Sequence, residues 1–133
     1  MLNNDENTSC PCMSGQSLND CCAPFHHGLV APSALTLMRS RYSAFALGLT
    51  DYIQATTHPA QQGTLDMQDI ADWSRSNQWL GLKIHANGPI KAQPPMHFVE
   101  FTATYKDAAG QQQEHHERSL FVRMKGRWYF IQP

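Results

Sequence analysis

The chain has 133 residues, with ten lysines and arginines, eleven aspartates and glutamates and a formal net charge of −1. That is the size of one domain, without the basic excess on which nucleic-acid binding depends. No apolar run approaches the roughly 20 residues of a membrane span, so no membrane association is expected.

The start, Met1 to Thr8, is acidic and polar, with neither the basic head nor the apolar stretch of a signal peptide. A cytoplasmic chain with reduced thiols is therefore expected. All four cysteines follow at once, as Cys10-Pro11-Cys12 and the adjacent pair Cys21-Cys22. Two such pairs divided by a short polar loop can wrap one tetrahedral soft metal. Neighbouring Cys21 and Cys22 are poorly placed to bridge each other as a disulfide. The expectation is a zinc knuckle over residues 8–30 holding one structural Zn²⁺ per chain. Its ligands are Cys10, Cys12, Cys21 and Cys22, with His26 or His27 as the alternative to Cys22. Four thiolates leave the ion an excess of negative charge, yet no lysine or arginine precedes Arg39. Backbone amides, with Gly15 allowing a tight turn, are expected to compensate.

Residues 31–133 read as a second, larger unit with its own core. Ser33 is placed to cap a helix whose apolar stripe is Leu35, Met38, Tyr42, Phe45 and Leu49, ending near Gly48. A short helix is expected over residues 51–57, closed before Pro59. A third runs over 66–74 with Ile70 and Trp73 inward, after a loop at Gln61-Gln62-Gly63. From Leu80 the period becomes two: Leu82 and Ile84, then Val99, Phe101, Ala103 and Tyr105, then Leu120, Val122 and Met124, and last Trp128 to Ile131. Asn87-Gly88-Pro89, Asp107 to Gly110 and Lys125-Gly126 punctuate these strands. Helices first and antiparallel strands after indicate an α+β fold with helices on one face of a curved sheet.

At this length several segments together resemble a known family. Cys10-Pro11-Cys12 followed by Ser14-Gly15 and Cys21-Cys22 is similar to the SEC-C zinc motif, named for the C-terminus of the SecA translocation motor. Ala31-Pro32-Ser33, Leu37 through Phe45, Asp51-Tyr52, Thr57-His58-Pro59, Trp79 through Leu82, Glu117-Arg118-Ser119 and Trp128-Tyr129 continue it. The whole resembles the YchJ family of bacterial proteins. The resemblance implies a cone-shaped domain like nuclear transport factor, three helices on a curved antiparallel sheet of about four strands. It implies no settled activity. Longer members end in a second SEC-C motif, which is not found before Pro133, so a role needing two knuckles is not expected. Many SEC-C loops are lysine-rich, and this one carries no basic residue, which again argues against nucleic acid.

The candidate ligand pocket is the mouth of the cone, with Arg39, Arg41, Tyr42, Tyr52, His58 and Glu100 as its residues. On the helical wheel Arg39 and Arg41 flank the apolar stripe and Ser40 points away from it. The two arginines are expected either to pair with Glu100 or Glu117, orienting helix on sheet, or to hold a small anionic ligand. His85 and His97 are further proton-transfer candidates, while His115 and His116 alternate to opposite faces and make no shared metal site. No set of nucleophile, base and orienter is visible. The leading expectation is a zinc-binding cytoplasmic adaptor. Its knuckle meets a protein partner or the ribosome, and its cone holds a small ligand or helps form a homodimer. The alternative is a small-molecule lyase or isomerase with the cone as active site.

Overall fold

The computed structural model describes residues 8–133. Helix α1 is a single turn, Ala23–His26, inside the cysteine segment, after a 3-10 turn at Leu18–Asp20. Helix α2 spans Ala34–Leu47, α3 Thr50–Ala55 and α4 Met67–Ser76. Strands β1 (Gln78–Ile90), β2 (Met96–Lys106), β3 (Gln112–Met124) and β4 (Arg127–Ile131) form one antiparallel sheet in the order β1-β2-β3-β4. Helices thus precede a four-stranded meander, the α+β arrangement read from the periodicities.

The helix ends follow their local chemistry. Ser33 Oγ accepts from Thr36 N at 3.1 Å, satisfying one of the free amides of the first turn of α2. Gly48 closes that helix at φ 75°, a left-handed geometry that glycine adopts without the Cβ penalty. Asp66 caps α4 through Asp69 N at 3.0 Å. The segment between α3 and α4 is not the loop expected at Gln61-Gln62-Gly63 but a 3-10 helix, Pro59–Thr64. Proline at its first turn supplies the torsion this needs, and the His58 ring nitrogen accepts from Ala60 N at 3.0 Å.

Two strands run longer than their apolar patterns. Strand β1 passes straight through Asn87-Gly88-Pro89, with Pro89 opposite His97. It can do so because β1 is an edge strand, where a missing N–H breaks no ladder bond. Its irregularities fall instead between Trp79 and Gly81 and between Ile84 and Ala86, and such bulges bend a sheet. Strand β3 starts at Gln112, and its polar first half has no helix to cover. Pairing with β2 along Lys106 to Met96 holds it extended all the same.

Helix α2 lies across the concave side of the sheet. Leu37, Met38 and Tyr42 pack with Val99, Phe101, Ala103 and Phe121, and each fully buried large side chain contributes about 1.5–3 kcal/mol. The helix is buried far beyond one stripe: Ala34, Ser40, Arg41, Ser43 and Ala44 are buried too, while Leu49 is exposed. Ser40, expected to point outward, is fully buried and bonds Leu37 O at 2.9 Å and the Tyr52 hydroxyl at 2.7 Å. The reason is that α2 meets the sheet on one side and the cysteine segment and α3 on others. Cys10, Cys12 and Cys22 belong to the same buried cluster as Leu37 and Tyr42. The separate core expected for the larger unit is therefore one continuous core shared with the cysteine segment. The α3 end is stitched to β4, with Phe130 N donating to Thr56 O and His58 N to Phe130 O, both at 2.8 Å.

Candidate metal centre and cone cavity

The cysteine segment turns back on itself through Met13 and Gly15, both left-handed at φ 67° and 89°. For Met13 that torsion is uncommon, and the bonds Cys10 N to Gln16 O (2.9 Å) and Met13 N to Cys10 O (3.2 Å) hold the turn. The 3-10 turn and α1 then carry Cys21 and Cys22 back toward the first pair. The result brings all four sulfurs within 4.8 Å of one another. Cys12 and Cys21 Sγ are 3.5 Å apart and Cys21 and Cys22 Sγ 3.9 Å. A tetrahedron of thiolates at Zn–S bond length has sulfurs about 3.8 Å apart. The donor set thus fits a closed four-thiolate metal site.

Four thiols this close cannot all ionise together without a cation. Hydrogen bonds from Cys10, then from Cys22, draw the Cys12 thiol far below its ordinary range. Burial pushes Cys21 up to about 11, and Cys22 is pushed well up by its bond to Cys10 and then by Cys12. One thiolate gathers the protons of its neighbours. A bound cation would replace those protons.

Helix α2 supplies what the loop lacks. Arg39 Nη1 donates to the Cys12 carbonyl at 2.8 Å, and Ser43 Oγ lies 3.3 Å from Cys10 Sγ. Ser14 Oγ lies 3.1 Å from Cys21 Sγ. Compensation is not left to backbone amides alone, as expected from the sequence; a cation arrives from 27 residues downstream. Ser43 was not foreseen, although Arg39 and Ser43 are four apart and so share a helix face. His26 does not join the sulfurs. Its Nε2–H donates to Ser40 O at 2.8 Å, and burial lowers its pKa. His27 is exposed.

The second feature is a cavity of about 260 Å³ between α2, α4 and the concave sheet. Its walls include Trp73, Trp79, Phe101 and Phe121, with Arg41, Glu117 and Ser119 as polar members. Of the six residues expected there, Arg41 and Tyr42 line it, and burial raises the Tyr42 hydroxyl to about 12. The other four lie elsewhere for identifiable reasons. Arg39 faces the cysteines. Tyr52 is drawn to Ser40 and His26 on the far side of α2. His58 caps the 3-10 helix, and Glu100 sits on the outer sheet face, where it meets His116 Nε2 at 2.8 Å.

Neither arginine makes the expected carboxylate pair. Arg41 Nη1 donates to Ile53 O (3.0 Å), Thr56 Oγ1 (2.7 Å) and Thr57 Oγ1 (3.4 Å), and the guanidinium lies 4.4 Å from the Phe130 ring centroid. Burial lowers its pKa to about 10, opposed by Tyr52 and Glu117, so it stays cationic at neutral pH. Glu117 is held instead by His115 Nε2 at 2.8 Å and by the Ser119 hydroxyl. His115 and His116 do fall on opposite faces, as alternation requires: His115 lines the cavity, and His116 stacks on His85 with centroids 5.1 Å apart.

Comparison with known proteins matches residues 33–133 to the model of the YchJ middle domain, an NTF2-like domain, where NTF2 is nuclear transport factor 2. The chain belongs to the YchJ-like family. Among solved structures this YchJ-like chain is similar to a SEC-C motif containing protein from Psychrobacter arcticus, at 36% identity and a TM-score of 0.87. That match covers 98% of this chain and 84% of the other. It is also similar to a SEC-C motif containing protein from Rhodopseudomonas palustris, at 36% identity and a TM-score of 0.83, covering 94% and 96%. Both likenesses extend over the cysteine segment of the YchJ-like chain as well as its cone.

Proposed function

We propose that the protein is a cytoplasmic zinc-binding protein whose role is binding rather than catalysis. One structural Zn²⁺ per chain is held by Cys10, Cys12, Cys21 and Cys22. The observation that carries this reading is the mutual approach of the four sulfurs within 4.8 Å. With all four positions taken by thiolate, the ion offers no site to water or substrate and serves to fasten the segment 8–30 against α2. The resemblance of the cysteine spacing to the SEC-C zinc motif, and the four-sulfur donor set itself, support zinc over other soft metals.

The adaptor role rests on what surrounds the clasp. Met13, Leu29 and Val30 are large apolar residues left exposed on this segment. Exposed apolar side chains on a segment fastened by a structural metal support a protein or ribosomal partner on that side. The cone then serves as a chamber for a small ligand. The lyase or isomerase alternative gains little from the cavity. Ser119 donates to Glu117 and His115 also turns to Glu117, so the imidazole is not placed to activate the hydroxyl. No helix among the described residues is long and apolar enough to cross a membrane.

The test is metal content. Untagged protein should carry about one zinc per chain by elemental analysis and native mass spectrometry, and Cys22→Ser should lose most of it. Bare or disulfide-linked protein from a reducing preparation, or full zinc in the Cys22→Ser variant, would remove the reading.

A further inference from the structure

Arg41 and Glu117 face the same apolar cavity, yet among the described residues no ion pair joins them. Among the described residues the Arg41 guanidinium donates through Nη1 alone. No fully buried side-chain nitrogen or oxygen among the described residues lacks a partner. Nε–H and Nη2–H have no acceptor among the described residues, and Arg41 lines the cavity. Glu117 has its oxygens held by His115 and Ser119, one contact each, and a carboxylate has lone pairs for more. The cavity therefore presents unsatisfied donors from a buried cation and spare acceptor capacity from a carboxylate. Aromatic walls from Trp73, Trp79 and Phe101 stand around them.

We propose that the cone binds a small, uncharged, flat molecule carrying a carbonyl beside an N–H, the head group of a carboxamide or an aromatic lactam. The carbonyl accepts from Arg41 and the N–H donates to Glu117. A carboxylate ligand satisfies Arg41 but brings its charge against Glu117, and an ammonium ligand does the reverse against Arg41. In a site of low dielectric each such approach is penalised. An amide satisfies both groups and adds no charge to a cavity whose two charges already cancel. The flat body lies among the aromatic rings, which favour offset or edge-to-face contact. At about 260 Å³ the cavity is smaller than the roughly 300–1,000 Å³ of sites for drug-sized molecules. It suits a body of about ten non-hydrogen atoms at ordinary packing density. This replaces the small anionic ligand expected from the arginines alone, and it rests on the reading of the cone as a binding chamber, not on the zinc.

The experiment is a chemical-shift titration of zinc-loaded, full-length protein with benzamide, benzoate, benzylamine and toluene. Benzamide should bind at least about tenfold more tightly than each of the other three, a difference of about 1.4 kcal/mol, with shifts centred on Trp73, Trp79 and Ser119. Glu117→Leu should reduce the preference for benzamide over toluene, because the N–H loses its acceptor. Glu117→Gln should narrow the gap between benzamide and benzoate, because the repelling charge is gone. Arg41→Met should reduce the preference as well; should that variant fail to fold, the two Glu117 variants carry the test. Benzoate or toluene binding as well as benzamide would overturn the head-group assignment and leave the chamber standing. No shifts at the cavity with any of the four would overturn both, while zinc content, measured on the same samples, reports separately on the clasp.

Discussion

Arg39 and Arg41 are two positions apart on one helix and do unrelated work. The first reaches the knuckle backbone through the Cys12 carbonyl, and the second holds the C-terminal turn of α3 through Ile53, Thr56 and Thr57. A hydrogen bond from a charged donor contributes about 1.5–3 kcal/mol, and the Arg39 bond is only partly shielded from water, so its share lies at the lower end. Arg39→Met is therefore expected to weaken zinc retention against a competing chelator by about tenfold, the effect of about 1.4 kcal/mol, with a much smaller shift in the urea midpoint of the metal-free protein. Equal losses in both measurements would show that Arg39 supports the fold at large and not the metal turn. Both arginines were visible in the sequence as flanking residues. Their partners were not, because the carboxylates expected to meet them are taken by His115 and His116.

Among the elements, α2 carries the largest share of the design. It begins at a serine cap, ends at a left-handed glycine, and between them is buried on nearly every side. Ser33→Ala is expected to cost about 1 kcal/mol through the lost cap, and Gly48→Ala about 1 kcal/mol through the left-handed torsion, since no side chain crowds the site. Urea denaturation of the two variants checks this; a Gly48→Ala protein as stable as the parent would mean that the torsion relaxes. Caps and turn residues were legible because they act within four residues of themselves. The burial of Ser40 and Ser43 was not. A helical wheel registers one apolar stripe, and these serines are buried because a second layer, the cysteine segment, lies on the polar flank.

For the whole molecule, the consequence of a shared core is that a metal held by the four sulfurs would be coupled to the fold. Cys10, Cys12 and Cys22 are packed among the residues that hold α2 on the sheet. Stripping the metal with a chelator under reducing conditions should therefore lower the thermal midpoint of the entire chain in one transition, and not merely expose four thiols. An unchanged midpoint with reactive cysteines would restore the picture of two independent units. The same cluster sets a pH dependence. Cys21 and Cys22 hold their protons in the metal-free protein, and zinc must displace them. The metal-free state thus binds more protons than the loaded one, so zinc affinity should fall as pH falls and rise as pH rises. Chelator competition between about pH 6 and 8 reads this directly.

The order of helices and strands, their caps and turns, and the four sulfur donors were set by residues close together in the chain. Short-range rules suffice there, because a cap bonds three residues on and a strand alternates every second one. What only tertiary structure decided is which buried charges meet. Arg39 lies 27 positions from the carbonyl it serves, and Arg41 on α2 shares a cavity with Glu117 on β3 without pairing to it. Long flexible side chains choose partners by the space left after packing, and that space exists only once the helix, the sheet and the cysteine segment have closed on one another.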